Sequence, residues 1–246
     1  MIITAQVKSF KRRHVLQSLA AGLLLIGVPL HAQNLDTKKP LKIGVIGSGH
    51  VGSTIGELWV KVGHEVMFSS RNVEQDKALA AEIGGGAKAG TPKEAAAFGE
   101  VLFFAVPYAA LPELGRDLAA EIKGKIVLDA CNPIPARDGD MANEALAKGT
   151  GVASPQFLHG ARIVRAYSHV GYMQMKQEAH RAGERLGISI AGDDAEAVKV
   201  AQRLVNDAGH EPVLVGGLAR AKEFDYRTSV FGKPMTAKEL RRAFNF

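Results

Sequence analysis

The chain has 246 residues, 46% hydrophobic and 23% charged, enough for one substantial domain or two small ones with a sizeable core. Its formal charge of +6 is concentrated at the start. Residues 1–32 carry Lys8, Lys11, Arg12 and Arg13 and no acid, and the rest balances 27 basic against 25 acidic side chains. That near-balance does not indicate a nucleic-acid footprint, and a lone cysteine, Cys131, excludes an internal disulfide.

Residues 10–32 read FKRRHVLQSLAAGLLLIGVPLHA. As a helix, the apolar run from Ser18 to Leu30 would rise only about 20 Å, short of the roughly 30 Å hydrocarbon core. It therefore reads as an address cleaved near Ala32, with no stable membrane span. Lys11-Arg12-Arg13-His14-Val15-Leu16-Gln17 resembles a twin-arginine signal in which Val15 replaces the usual phenylalanine. A general secretory signal with adjacent arginines fits the same residues. Either route implies export to the periplasm. Residues 33–40, QNLDTKKP, read as a linker.

From Leu41 a βα rhythm begins. The pattern predicts strands at 41–47, 65–70, 87–90 (a short edge), 101–106, 125–130, 162–167, 188–192 and 212–216. Helices are predicted at 52–62, 74–83, 93–98, 109–122 and 194–208. Near-continuous apolar strands alternating with helices imply a Rossmann-type, doubly wound α/β fold: a mostly parallel sheet with helices on both faces. The domain spans 41–225, and 226–246 reads as a C-terminal extension. Residues 132–160 read as irregular, a rim around a site. No long all-helical region of the kind used for dimerisation follows.

Gly47-Ser48-Gly49-His50-Val51-Gly52 fits G-x-G-x-x-G between a predicted strand and a predicted helix, the context that pyrophosphate binding requires. At the end of the second strand an NAD-binding protein usually places an acid for the ribose 2′-hydroxyl. Here stand Ser69, Ser70, Arg71 and Asn72, so hydroxyls and a guanidinium suited to a 2′-phosphate point to NADP(H). Two further strand ends, at Ala105-Val106-Pro107 and Asn132-Pro133, face the same crevice in such a fold. Their prolines would equally serve to start a helix or fix a turn.

KIGVIGSGHVGSTIGELWVKVGHEVMFSSRN, AVPYAAL, DACNPI, RIVRAYSHVG, ISIAGDD and AGHEPVLVGGLARAKEFD occur in this order between Leu41 and Asp225. Together they resemble the NADP oxidoreductases dependent on coenzyme F420, and also the NADPH-binding domain of the six-transmembrane metalloreductases. The resemblance implies NADPH in a Rossmann domain, exchanging hydride with a deazaflavin or flavin ring. It would place Gly47, Ser48, Gly49, His50 and Val51 on the pyrophosphate, Ser70 and Arg71 on the 2′-phosphate, and Val106 and Pro107 beside the ribose. The turn after RIVRAY would lie by the nicotinamide. There this chain departs from its relatives, with Ser168-His169 where they tend to carry Asn-Thr or His-Thr. The tail FGKPMTAKELRRAFNF has no counterpart in the resemblance.

His169 is the one candidate for a catalytic side chain, as a proton donor or orienting group. It would equally be a histidine satisfied by a loop carbonyl. The other histidines lack metal-ligand spacing, so no metal is expected. The expectation is an exported NADP-dependent oxidoreductase acting on a small-molecule redox acceptor, with no nucleic-acid partner and with a homodimer compatible. The alternatives are a non-catalytic NADPH-binding sensor or partner subunit, and an imine or keto-acid reductase, which would need the helical domain this chain lacks.

Overall fold

The computed structural model describes residues 39–246, so the signal and most of the linker lie outside the described residues. The apolar runs form strands in the expected places. β1 (Lys42–Ile46) leads through a glycine turn into α1 (His50–Lys61), then β2 (Glu65–Ser69), α2 (Val73–Ile83), the three-residue β3 (Ala87–Ala89), α3 (Pro92–Phe98) and β4 (Val101–Phe104). The expected helix at 109–122 is broken into a 3₁₀ turn, α4 (Leu111–Asp117) and α5 (Ala119–Ile122), before β5 (Ile126–Asp129).

The stretch 132–160 is not irregular. It holds α6 (Pro135–Asp138), α7 (Asp140–Lys148), α8 (Thr150–Ala153) and a 3₁₀ turn. Gly139 and Gly149, at φ 62° and 85°, separate these helices. Pieces of four to nine residues are too short for a 3.6-residue period to show. β6 (Arg162–Arg165), α9 (Tyr172–Gln177), β7 (Gly187–Gly192), α10 (Ala195–Asp207), β8 (Glu211–Gly216) and α11 (Ala237–Ala243) complete the chain.

The sheet order is β3-β2-β1-β4-β5-β6-β7-β8. β3 to β6 run parallel, β7 pairs antiparallel with β6, and β8 is parallel to β7. Alternation along the strands feeds two cores. In β4, Val101 and Phe103 pack on one face, Leu102 and Phe104 on the other. Gly44 is needed because a β-carbon there would meet the Ala95 carbonyl of α3 at 2.1 Å. Trp59 of α1 is fully buried, its ring edge on Phe103 and Tyr167, and its Nε1–H donates to the Leu204 carbonyl of α10 at 2.8 Å. That bond ties the two helices on this face together.

The expected extension is part of the sheet's packing. Phe224, Leu240 and Phe244 form a third core with Ala191, Val213 and Val215. Thr236 and Glu239 cap α11 reciprocally, and Gly187 N–H donates to the Met235 carbonyl at 2.9 Å.

Candidate functional site

Strand register lines up the site. Ser69, Ile46, Phe104, Asp129 and Arg165 are successive Cα partners across β2, β1, β4, β5 and β6, so the following residues leave the sheet along one edge. The order reverses at β1, from which the chain runs outward through β2 and β3 on one side and through β4, β5 and β6 on the other. That is the switch point where a crevice opens in doubly wound sheets.

At the exit of β1 the three glycines have separate jobs. Gly47 has φ 102°, and a β-carbon on it would meet the Ala105 carbonyl and Val106. One on Gly52 would lie 1.9 Å from the Gly47 carbonyl, so helix and strand pack this closely only without it. A β-carbon on Gly49 would meet nothing within 4 Å; it would project into open cleft. Gly49 is the N-cap of α1, whose first turn carries no side-chain cap and no acid. Those orphan amides and the positive end of the helix dipole are free for an anion. Helix α1 starts at His50, two residues earlier than expected, and His50 stacks on Tyr172 at 4.4 Å between ring centroids. Gly47 and Ser48 N–H groups donate to the Ser69 carbonyl, at 2.9 and 3.0 Å, so these two amides hold the loop to β2.

At the exit of β2 the four expected residues divide. Ser69 is buried and its hydroxyl donates to the Val45 carbonyl at 2.7 Å, so strand parity turns it away from the cleft. Ser70, Arg71 and Asn72 line a cavity of about 220 Å³ with Ser48, Gly49 and Gln75. Arg71 is exposed, and no carboxylate among the described residues pairs with it. Asn72 caps α2, accepting from Gln75 N–H at 3.2 Å. A second cavity, about 330 Å³, adjoins at Ser48 and Gly49 and is lined also by His50, Ser53 and Asp76. Asp76 is the acid the sequence reading missed. It is 1% exposed in the first turn of α2 and accepts from the hydroxyls of Ser48 and Ser70.

Beyond β1 the edge closes. Ala105 and Val106 are half-buried beside Gly47, and Pro107 is exposed. Asn132 donates through Nδ2 to the Ser168 carbonyl, joining the exits of β5 and β6, while Pro133 is buried. Beneath them Arg165 is fully buried and pairs with Asp129 at 2.9 Å and Asp225 at 3.7 Å, and its Nη1 donates to the Cys131 carbonyl at 2.9 Å. Burial raises the Asp225 pKa against the pull of Arg165 and of Thr150, which donates to it through N–H and hydroxyl. Burial likewise pushes the Cys131 thiol well up, which removes its nucleophilicity.

Tyr167 leaves β6 at φ 58°, a strained conformation for a bulky side chain, held by packing against Trp59, Phe103 and His210. His169 is not at the lip of the crevice. It is fully buried with its ring edge-on to Phe224, and neither ring nitrogen has a hydrogen-bond partner. Desolvation lowers its pKa to about 4, so it stands neutral. Its carbonyl accepts from Gly232 N–H at 2.7 Å, which draws the chain after β8 over this end. The hydroxyl of Ser168 is also buried without a partner.

Residues 42–133 match the family model described as NADP oxidoreductase, coenzyme F420-dependent. The metalloreductase STEAP3 of Rattus norvegicus is 27% identical over 191 residues, 76% of this chain. The chain spans only 36% of that protein's length. The F420-dependent NADP reductase of Methanothermobacter thermautotrophicus is 26% identical over 196 residues, 74% of this chain and 84% of the relative. A crystal structure of a putative F420-dependent NADP reductase from an Arthrobacter species superposes with a TM-score of 0.64 at 23% identity, over 74% of this chain and 87% of that one; it shares the Rossmann-type fold. Through residues 42–133 the chain resembles the coenzyme F420-dependent NADP oxidoreductases.

Proposed function

We propose that this protein is an exported, NADP-dependent oxidoreductase that transfers hydride between NADPH and a deazaflavin or flavin-like acceptor. The observation that carries the reading is the pairing of two features on one cleft. The uncapped start of α1 opens where Gly49 leaves room, and Arg71 stands without a carboxylate at the end of β2. The first suits a pyrophosphate, the second a 2′-phosphate. NADPH would supply the hydride; the chain binds and orients it. His50, Val51 and Gly49 offer amides to the pyrophosphate, Arg71 takes the 2′-phosphate, and Val106 and Pro107 flank the ribose. Asn132 fixes the Ser168 carbonyl at the far end, where the nicotinamide would lie. Because hydride transfer needs alignment more than proton transfer, no acid–base side chain is required, and buried His169 is left as a packing group.

A second reading, an NADPH-binding sensor or partner subunit, is favoured by that same buried end, where His169 lies beneath Phe224 and Gly232. Stopped-flow absorbance at the nicotinamide band separates the two. Mature protein mixed with NADPH and deazaflavin, FMN or ferric chelates is expected to oxidise NADPH with one of them. Tight NADPH binding without turnover on any acceptor would leave the sensor. Export is tested by fusing residues 1–40 to a reporter that is exported only when folded. Replacing Arg12 and Arg13 with lysine is expected to abolish that export; an unaffected reporter would leave a general secretory signal.

A further inference from the structure

The residue that completes this cleft is Asp76, which neither the motif nor the family resemblance singles out. It reaches back from α2 to accept from Ser48 on one oxygen and from Ser70 on the other, the latter at 2.8 Å. These serines belong to the two loops that flank the cleft, and Asp76 lines the 330 Å³ cavity beside them. The consequence lies in the hydroxyl's single proton. Ser70 gives it to Asp76, sharing it with the Asn72 carbonyl at 3.3 Å, while its oxygen accepts from Asn72 N–H at 3.0 Å. Toward the cleft Ser70 therefore offers a lone pair, with a carboxylate behind it. A phosphate brings acceptors and charge, and is opposed by both. A ribose 2′-hydroxyl brings a donor, and suits both.

We propose that Asp76 sets cofactor specificity by opposing Arg71, so that the cleft accepts NADH alongside NADPH. The guanidinium favours the 2′-phosphate, and the Asp76–Ser70 pair favours the free 2′-hydroxyl. This inference rests on the dinucleotide reading of the cleft.

The test is calorimetric titration of wild type and Asp76→Asn with NADPH, NADH, 2′,5′-ADP and 5′-AMP at fixed ionic strength. Asparagine keeps the size and one acceptor oxygen but removes the charge. Asp76→Asn is expected to bind NADPH and 2′,5′-ADP about five- to tenfold more tightly, with NADH and 5′-AMP changed by less than about twofold. Equal weakening of all four, or an unchanged ratio, would overturn the proposal and leave Asp76 as a crosslink between loops. Ser70→Ala is the second variant, should Asp76→Asn lose its thermal transition. It is expected to weaken NADH more than NADPH, and an equal loss of both also overturns the proposal. A wild type that binds none of the four ligands would instead remove the dinucleotide reading itself.

Discussion

Around the exits of β1 and β2, Ser69 and Asp76 are buried but other charged and polar groups face solvent: Arg71 is exposed, Gly49 borders open space and the start of α1 is uncapped. Around the exits of β5 and β6 they are buried and turned on one another, with Arg165 between Asp129 and Asp225 and His169 sealed under Phe224. The first end leaves donors unpaired at the start of α1, reached through a turn at Gly47 that glycine adopts without strain. The second satisfies most of its groups internally, with segments from four parts of the chain. The two ends thus differ in kind: an open cleft at an uncapped helix start on one side, a buried, cross-paired frame on the other.

Breaking the frame has the largest expected effect. In Arg165→Met the guanidinium is lost while Asp129 and Asp225 stay buried. Removing one partner of a buried ion pair costs about 3–5 kcal/mol. Urea unfolding should show that loss in its midpoint. A loss near zero would mean that the carboxylates find water, and the closed end would not be closed.

The next effect is pH-dependent. The folded chain holds His169 at a pKa of about 4 against an ordinary value near 6.5. Because folding disfavours the proton, this contribution is fully present above pH 6.5 and is lost as pH falls from there toward 4. At pH 5 the loss is on the order of 2 kcal/mol. Burial lowers His64 and His210 in the same direction. His169→Phe, which removes two unpartnered nitrogens and keeps a ring against Phe224, is expected to be neutral or stabilising at pH 7. It should also unfold with a shallower acid dependence between pH 6.5 and 4. An unchanged pH slope would place a partner on the imidazole.

The open end was legible in the sequence because its parts are local. Gly47 to Gly52 and Ser70-Arg71 act within a few residues of a strand end. Parity along β2 would also have turned Ser69 inward while leaving Ser70 outward. Asp76 is not legible there because it lies six residues beyond Ser70, and only the first turn of α2 brings it back to that hydroxyl. The closed end was legible only as a question. RIVRAY places a second arginine, Arg165, in the buried part of the strand, which demands a partner, but Asp225 lies sixty residues away and no local pattern names it. Likewise the tail looked like an appendage because its buried residues, Leu240 and Phe244, complete a core made by β7 and β8.

At the open end, Arg71→Ala is expected to weaken NADPH roughly ten- to a hundredfold, as charge-assisted hydrogen bonds to a phosphate are lost, and to leave NADH unchanged. Fluorescence titration at one salt concentration measures both. Equal weakening of the two nucleotides would mean that Arg71 holds the loop and not the phosphate, and the contrast between the ends would lose its ligand-facing half.

The smallest effect asks whether the closed end is shut by the tail or by the sheet alone. Thr236 caps α11, its hydroxyl accepting from Glu239 N–H at 3.2 Å while the Glu239 carboxylate accepts from Thr236 N–H at 2.8 Å. Thr236→Ala removes one arm of that box, at a cost of about 1 kcal/mol. If the tail clamps the end of β6, the lost stability should appear locally, as faster hydrogen exchange at the Gly187 amide, bonded to Met235, and at the Gly232 amide, bonded to His169. Exchange in β1 and β4 should stay as in the wild type, as should NADPH affinity, because the cleft lined by Ser48, Gly49 and Arg71 shares no residue with α11. Uniformly faster exchange through the whole sheet would mean that the tail and the β1–β6 core unfold as one unit, and that the two ends of the crevice differ in exposure but not in independence.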